Sequence, residues 1–451
     1  MTVIIDQERC AYCGGCVSVC PEEALTLAET RLLVNEHCID CGDCVSACPV
    51  GALQSEEIQI PIRQEPMRKQ YDLIVVGAGP GGSTAARLAA QAGLSVLLLE
   101  KRQEIGSPVR CAEGLGHDHL ADFLEPDPQW ISAMVNQVEI TNVIGDEKEI
   151  LHVSGGRGYI LERRLFDRTL AELAAQAGVE VRVKTSVTGI LKEADTIKGV
   201  TIDHGNYITG TEKVDIEASV VIAADGIESQ IGRWAGLDTQ LPLKDTMVCI
   251  QYLLAGVDID PGCNHFTIDP RIAPGGYAWA FPKGQEGANV GLGVQADIWE
   301  AEAVTTDNGQ AQLVGKDTVL GFLTRFIERD PRLAQGYPVT LVAGNVPVAL
   351  SPHEMVTDGL MLVGDAARQV DPLTGGGIAN AMTAGKMAAE VAVAAIQAGE
   401  TSKHFLSRYP EQWLKSTGRL LRRNYRLREK FPLGRRNDKR FVQAFLLAVG
   451  G

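Results

Sequence analysis

Short apolar runs that end at glycine-rich turns recur along most of this 451-residue chain. The first, Leu73–Val76, is followed by GAGPGG and a helix of small residues, and a second run ends at Glu100. Two further runs, in VVIAADG and GLMLVGD, end at Asp225 and Asp365. Continuous apolar runs of this length, bounded by turns, are typical of fully buried strands. The pattern therefore predicts an α/β domain.

A second pattern, strict alternation, occurs in PGGYAWAFPKG. Tyr277, Trp279 and Phe281 fall on one face of a strand, because successive strand residues point to opposite sides. We term these three residues the aromatic wall; either they line a binding site or they are packed core. The longest apolar stretch, Ile378–Ile396, contains charged residues and many small ones, which predicts a packed core helix.

The periodicity and the turns predict a division into five parts. These are a small N-terminal domain (1–57), a linker (58–70), an α/β domain (71–130, 160–240 and 350–396), an inserted antiparallel-sheet domain (131–159 and 241–349) and a basic helical C-terminal region (397–451). The predicted fold class is thus α/β combined with α+β.

Composition and charge narrow the classes of function. The net charge is -15, which disfavours nucleic acid as a partner. No basic segment precedes an apolar run at the start, so we expect no secretory signal, and no uncharged apolar run of about 18 residues predicts a membrane-spanning helix. A cytoplasmic location is expected.

Eight of the eleven cysteines lie in two matched runs, CAYCGGCVSVCP and CIDCGDCVSACP, which are offset by 28 residues. Each run has the spacing C-x2-C-x2-C-x3-C-P, in which three cysteines hold one [4Fe-4S] cluster and the fourth reaches the other cluster. The predicted ligand sets are Cys10, Cys13, Cys16 and Cys48 for one cluster, and Cys20, Cys38, Cys41 and Cys44 for the other. Four-cysteine zinc sites are the alternative. The segment resembles a bacterial-type two-cluster ferredoxin.

The first apolar run opens a dinucleotide-binding pattern. Gly77 makes a tight turn, Gly79 admits the pyrophosphate, and Gly82 allows the following helix to pack on the sheet. The pyrophosphate is expected at the N-terminus of that helix, and Glu100 is positioned to accept hydrogen bonds from a ribose.

Later motifs favour FAD as the dinucleotide. Asp225-Gly226 follows one buried run, and Asp365, suited to a ribityl hydroxyl, follows another. Glycine amides at the next helix start would face the N1 and O2 edge of the flavin. These glycines are Gly375, Gly376 and Gly377. The elements resemble the aromatic-hydroxylase-like FAD fold, in which an arginine at the position of Arg163 contacts the adenosine side; a surface arginine is the alternative.

Three stretches, KRQEIGSPVRCAEGLG, PGGYAWAFPKG and DPLTGGGI, resemble the geranylgeranyl reductase family over residues 71–415. The resemblance implies an enzyme that hydrogenates isolated double bonds of an isoprenoid chain, with a prenylated lipid as the expected substrate. It implies that the aromatic wall lies over the flavin and that Cys111 lies near its ring; an ordinary buried thiol is the alternative for Cys111. The departures are alanine beside Cys111, where relatives often carry glycine, and the cysteine-rich head.

No second G-x-G-x-x-G motif follows another predicted strand, so the sequence predicts no nicotinamide domain. Electrons are therefore expected to enter through the clusters from an external low-potential donor. The proton donor is left open between Cys111, Tyr277 and a held water. Two other functions are considered: an electron carrier between a flavoprotein and membrane quinone, and a hydroxylase. Low-potential clusters beside an oxygen-activating flavin disfavour the hydroxylase.

The C-terminal region is strongly basic. Lys415–Arg440 contains eleven Lys or Arg residues and two acidic residues, interleaved with apolar ones. Such a segment suits peripheral contact with an anionic membrane, here the inner face, or docking of the acidic N-terminal domain. A solvated helix face is the third interpretation.

Overall fold

The structure is a computed structural model. It describes residues 3–7, 9–54, 68–203, 213–298 and 318–450, with the backbone alone of 304–305 and 311–312. Residues 58–67 of the predicted linker lie outside the described residues.

The N-terminal domain is a duplicated unit of short elements. They are β1 (Ile4–Ile5), α1 (Gly15–Ser18), β2 (Leu25–Ala28), β3 (Arg31–Val34), α2 (Asp43–Ala47) and β4 (Leu53–Gln54). β1 pairs with β4, and β2 pairs with β3, both antiparallel. Each helix begins after a left-handed glycine, Gly14 with φ 74° and Gly42 with φ 81°. Only glycine takes that conformation without strain, so the two repeats turn identically after their second cysteine.

The remaining elements form two large sheets with helices around them. From 68 to 203 they are β5 (Gln70–Val76), α3 (Pro80–Gln91), β6 (Val96–Leu99), β7 (Gly114–Gly116), β8 (Ile131–Ile144), β9 (Glu147–Leu161), α4 (Arg163–Gln176), β10 (Glu180–Arg182), β11 (Ser186–Glu193) and β12 (Thr196–Asp203). From 213 to 298 they are β13 (Lys213–Ala223), α5 (Ile231–Trp234), β14 (Thr246–Ala255), β15 (Cys263–Ile268), β16 (Tyr277–Pro282) and β17 (Gly287–Gln295).

The last part of the chain is mostly helical. Its elements are β18 (Val304–Thr305), β19 (Ala311–Gln312), α6 (Val319–Arg329), β20 (Tyr337–Pro347), β21 (Val356–Thr357), β22 (Leu360–Leu362), α7 (Ile378–Ala398), α8 (Lys403–Leu406), α9 (Arg408–Lys415), α10 (Thr417–Lys430) and α11 (Lys439–Gly450). Short 3-10 turns lie at Leu243–Asp245, Gly364–Ala367 and Leu433–Arg435.

The first sheet carries the predicted buried strands in the order β10, β6, β5, β13, β12, β11, and β22 also pairs with β13. β10, β6, β5, β13 and β22 are parallel neighbours, whereas β11 and β12 run antiparallel. α3 packs closely on α7, because a Cβ atom on Gly385 would overlap the carbonyl oxygen of Gly81. The predicted core helix is therefore α7, and the predicted α/β fold is confirmed.

The second sheet has the order β20, β14, β17, β16, β15, β8, β9, β7. The predicted antiparallel sheet contains one parallel pair, that of β8 with β15. The chain crosses to the first sheet between these two strands, and a crossover of that length permits parallel pairing. β7 also joins this sheet, although its residues fall in the segment assigned to the α/β domain.

The helices after α7 bridge the two sheets. Tyr409 and Trp413 are fully buried in the core of the first sheet, whereas Phe441 and Phe445 are buried against the second. Among the described residues, none of the helices is long and apolar enough to span a membrane. The C-terminal region is thus partly core, and within it α10 also has a solvated face that carries Arg419, Arg422 and Arg426.

Candidate functional site

A cavity of about 990 Å³ lies between the carboxyl ends of the first sheet and the face of the second. It brings together all the residues predicted to bind the dinucleotide or act in catalysis. They are Gly77, Gly79, Gly82, Glu100, Cys111, Arg163, Asp225, Gly226, Tyr277, Trp279, Phe281, Asp365, Gly375, Gly376 and Gly377. Segments as far apart in the chain as Gly77 and Gly377 therefore share one site.

The glycine turn between β5 and α3 is shaped to receive a ligand. Gly77 has φ 101°, and Cβ atoms on Gly77 or Gly82 would overlap carbonyl oxygens of Ala224 and Gly77, respectively. Around Gly79, in contrast, no atom of the described residues lies within 4 Å of an added Cβ. Gly77 and Gly82 thus permit close backbone packing. Gly79 faces open space at the start of α3, where a phosphate group is favoured.

The three predicted carboxylates have different surroundings. Glu100 accepts backbone N–H groups of Ala78 at 3.0 Å and Arg102 at 2.9 Å, so it also closes the turn. One oxygen of Asp225 is buried without a hydrogen-bond partner among the described residues. Burial raises the pKa of Asp225 and of Asp365. An unpaired buried carboxylate oxygen is costly, and a hydroxyl donor of a bound ligand would satisfy it.

The loop of Cys111 is anchored to the second sheet. Gln251 on β14 donates from Nε2 to the Cys111 carbonyl oxygen at 2.8 Å and accepts from Trp279 Nε1 at 3.2 Å. The backbone N–H of Glu113 donates to Cys111 Sγ at 3.2 Å. Burial raises the pKa of the Cys111 thiol, although nearby Arg163 opposes the shift. The thiol is therefore protonated at neutral pH and fixed relative to the aromatic wall.

A buried acid, Glu113, completes this anchor and was not predicted from the sequence. It accepts hydrogen bonds from Lys283 Nζ at 2.6 Å, Asn289 Nδ2 at 2.7 Å and the backbone N–H of Arg163 at 2.8 Å. Glu113 itself has φ 73°, whereas Ala112 is not among the residues with positive φ. The alanine beside Cys111 is therefore compatible with the loop. The motif gives no local sign of this role, because its partners lie 50 to 176 residues away.

The aromatic wall lies on β16, and its rings contact further aromatic residues. Phe266 on β15 lies 5.5 Å from Tyr277 and 5.1 Å from Phe281, between ring centroids. Phe445 on α11 lies 5.0 Å from Tyr277. The Tyr277 hydroxyl donates to the Thr374 carbonyl oxygen, and burial raises the pKa of Tyr277. Phe266 and Phe445 were missed; the alternation of CNHFTI and the i, i+4 spacing of Phe441 and Phe445 are the signals that indicate them.

The cysteine runs enclose two small cavities of their own. One is lined by Cys10, Cys13, Cys16 and Cys48, and the other by Cys20, Cys38, Cys41 and Cys44. The last cysteine of each run accepts the same kind of hydrogen bond. The backbone N–H of Ala24 donates to Cys20 Sγ at 3.2 Å, and that of Ala52 donates to Cys48 Sγ at 3.1 Å. Backbone donors of this kind stabilise thiolates, the form that binds iron.

The N-terminal domain contacts the rest of the chain at Lys184. Its Nζ atom lies 4.9 Å from the ring centroid of Tyr12, which lies between the first two cysteines. The backbone N–H of Lys184 donates to the Arg102 carbonyl, and that of Thr185 to the Glu100 carbonyl. This contact is therefore adjacent to the Glu100 end of the large cavity.

Comparison with protein families gives three matches. The model of the geranylgeranyl reductase catalytic domain matches residues 245–346, an FAD binding domain matches 70–265, and a 4Fe-4S dicluster domain matches 2–49. The two predicted kinds of cofactor, FAD and [4Fe-4S] clusters, are confirmed at the level of these domains.

Individual relatives agree with these matches. The digeranylgeranylglycerophospholipid reductase of Methanosphaerula palustris is 44% identical over 368 residues, which are 81% of this chain and 87% of that protein. The enzyme of the same name from Methanosarcina acetivorans is 47% identical over 355 residues, 78% of this chain and 82% of that one. Among solved structures, a geranylgeranyl bacteriochlorophyll reductase-like protein from Thermoplasma acidophilum is 41% identical to this chain, with a TM-score of 0.72. The match covers 81% of this chain and 88% of that protein's chain.

Proposed function

Since the chain belongs to the geranylgeranyl reductase family, we propose that it uses FAD to hydrogenate isolated C=C bonds of geranylgeranyl chains on a glycerophospholipid. The observation that carries the proposal is one cavity lined both by a dinucleotide-type glycine turn and by the aromatic wall. An isoprenoid chain presents only apolar surface, and aromatic side chains bury such surface well.

The residues of the large cavity fit FAD. The open space at Gly79 and the N-terminus of α3 would take the pyrophosphate, with Glu100 toward the adenosine side. Arg163, also predicted for that side, pairs with Asp167 at 2.8 Å and lies near Cys111. Asp225 and Gly226, Asp365, and Gly375 to Gly377 would hold the ribityl and ring end. When bound, FAD supplies two-electron reduction, its reduced ring being the source of hydride for one alkene carbon.

The second alkene carbon requires a proton from the chain or from water. Cys111 and Tyr277 both remain protonated, because burial raises the pKa of each. The Tyr277 proton is directed to the Thr374 carbonyl, which favours Cys111 as the group that holds or orients the transferred proton. Trp279 and Phe281 are buried, and with a lipid bound they would limit the access of bulk water, so that these few groups would supply the proton.

The two cysteine sets would bind the two [4Fe-4S] clusters, as their cavities and backbone donors support. Electrons from an external low-potential donor would pass through these clusters, two for each double bond saturated. Contact at Lys184 supports docking of the N-terminal domain against the body of the protein.

An anaerobic assay tests the proposed activity. The purified holoenzyme is incubated with reduced methyl viologen and digeranylgeranylglycerophospholipid, and the lipids are analysed by mass spectrometry. We expect products heavier by two hydrogen atoms for each double bond reduced. Reduction of a quinone without any gain of lipid mass would contradict the proposal and favour the electron carrier. Enzyme stripped of FAD is the control for direct reduction by viologen.

We further propose that the exposed face of α10 contacts anionic membranes. Arg419, Arg422, Arg423 and Arg426 are exposed, and Leu420 beside them is 45% exposed. Basic side chains next to an apolar one suit a negatively charged lipid surface. A substrate that resides in the membrane requires such contact for access.

Substitution on α10 tests this contact better than truncation, because α11 supplies Phe445 to the cavity. Replacing Arg419, Arg422 and Arg426 with glutamate is expected to weaken binding to phosphatidylglycerol-containing vesicles by about a hundredfold or more. Co-sedimentation measures the binding, and vesicles of zwitterionic lipid are the control. Equal sedimentation of the variant and the original protein would exclude this surface as the contact.

A further inference from the structure

Two arginines of the C-terminal region are buried together at one part of the large cavity. Arg428 on α10 is 2% exposed, and Arg436, just after the 3-10 turn Leu433–Arg435, is 6% exposed. Both line the cavity. Taking a guanidinium out of water is costly unless an anion or several acceptors compensate it, so a buried pair of like charges requires an explanation.

The hydrogen bonds of this pair go to neutral oxygens. Arg428 Nη2 and Arg436 Nη1 both donate to Gln295 Oε1, each at 2.6 Å. Arg436 Nη1 also donates to the Gly275 carbonyl at 2.5 Å, and Arg428 Nη2 to the Lys244 carbonyl at 3.0 Å. One amide oxygen thus holds the two guanidinium groups side by side without supplying a negative charge.

No carboxylate of the described residues is hydrogen-bonded to either guanidinium group, and Asp297 accepts instead from Gln295 Nε2 at 2.6 Å. Asp245 Oδ1 lies 3.7 Å from Arg428 Nη1 and accepts instead from the Tyr425 hydroxyl at 3.0 Å. Glu429 Oε1 lies 3.9 Å from the same nitrogen. Arg428 Nη1 is buried and has no hydrogen-bond partner among the described residues. The pair therefore has donor capacity left over.

The burial of two like charges has its largest effect on the pKa of Arg436. Burial first, and then the charge of Arg428, lowers the pKa of Arg436 to about 9. The group remains charged at neutral pH, but its charge is destabilised by its surroundings. An anion bound between the two guanidinium groups would offset that cost.

We propose that Arg428 and Arg436 form a subsite for the phosphate group of the lipid substrate, an inference that rests on the proposed function. The planar forks of arginine suit phosphate oxygens. The same C-terminal region supplies Phe441, Phe445 and Val449 to the apolar lining of the cavity. One segment thus offers cationic groups to a head group and apolar groups to the chain attached to it, which orients the lipid in the cavity.

The test compares two substrates in one enzyme. Arg436→Gln is expected to raise KM for digeranylgeranylglycerol phosphate by about ten- to a hundredfold, because charge-assisted hydrogen bonds are lost. KM and kcat for geranylgeraniol, which has no phosphate, should stay unchanged. Arg435→Gln is the matched control, since Arg435 is exposed and pairs with Asp438 on the surface. Arg436→Lys keeps the charge without the fork and should give an intermediate KM.

Binding provides a readout independent of turnover. Calorimetry on the oxidised holoenzyme should show weaker binding of the phosphorylated lipid to Arg436→Gln, with melting temperature and FAD content serving as measures of folding. Equal losses on both substrates, or none, would overturn the subsite. Inorganic phosphate could stabilise the original protein while Arg436→Gln leaves the preference for the phosphorylated substrate unaltered. That pair of results would overturn the lipid assignment in favour of free phosphate. Absence of reduction of either substrate by the original enzyme would instead refute the proposed function.

Discussion

Replacing Cys13 with serine is expected to disconnect the flavin from its electron supply. Cys13 lines the first of the two cysteine cavities, and loss of a thiolate ligand removes or distorts one cluster of two. Reduction of FAD by a small reduced ferredoxin should slow by more than about a hundredfold, since even partners outside the ligand shell change activity by 10–100-fold. Stopped-flow absorbance of the flavin under anaerobic conditions measures this rate.

Metal analysis and a control cysteine make this result interpretable. The iron and acid-labile sulfide of Cys13→Ser should fall to about half. Cys263→Ala removes a buried thiol on β15 that does not line either cysteine cavity, and it should leave both measurements unchanged. Direct reduction of the flavin by dithionite should be similar in all proteins. An iron-depleted Cys13 variant whose flavin is reduced by ferredoxin at the original rate would refute a role for the clusters in supplying FAD.

Gly79→Ala is expected to give a folded protein that no longer retains FAD. Gly79 has φ -72°, which alanine adopts without strain, and no described atom would contact its Cβ. The unfolding free energy of the cofactor-free protein should therefore change by less than about 1 kcal/mol. The added methyl group would occupy the space through which the backbone approaches the pyrophosphate. We expect FAD affinity to fall by more than about a hundredfold, which flavin fluorescence titration measures.

Two other glycines serve as comparisons. Gly82→Ala should destabilise the cofactor-free protein itself, because its Cβ would overlap the Gly77 carbonyl oxygen between β5 and α3. Gly189→Ala, on β11, would make only ordinary contact with Thr201 at 3.5 Å and should change neither stability nor FAD binding. FAD affinity of Gly79→Ala equal to that of the original protein would show that the dinucleotide does not pass over this turn.

The anchored Cys111 loop explains how the two sheets act as one site. Glu113 accepts hydrogen bonds from Arg163 at the start of α4, from Lys283 just after β16 and from Asn289 on β17. Gln251 connects the same loop to the aromatic wall. Buried polar groups that are fully paired favour one arrangement over its alternatives, so the thiol and the wall should keep a fixed separation while lipids of different length bind.

The position of the N-terminal domain bears on the path of the electrons. Its contact through Tyr12 and Lys184 lies beside the Glu100 end of the cavity, which is the end we assign to adenosine. Proximity of the clusters to the flavin ring remains a prediction. The variant Lys184→Glu tests whether the Lys184 contact serves electron transfer. If it does, the rate of FAD reduction by reduced ferredoxin should be lower in this variant than in the original protein.

The sequence alone determined the features that depend on local chain geometry. The two cysteine runs predict their ligand sets because loop reach fixes which thiols surround one cluster, and the cavities at Cys10 and Cys20 enclose those sets. The turn from Gly77 to Gly82 and the alternation of the aromatic wall are likewise set within a few residues of chain. The buried strands of the first sheet follow from continuous apolar runs.

Tertiary structure decided what those local elements meet. No pattern within RCAEG predicts that Glu113 is held by Lys283, and the basic composition of the C-terminal region conceals that Phe445 and Arg428 line the cavity. The parallel pairing of β8 with β15 has the same origin, since it depends on where a long crossover returns. Such contacts join residues far apart in the chain, and their free energy comes from packing and charge burial in the folded protein, which periodicity and spacing along the chain do not encode.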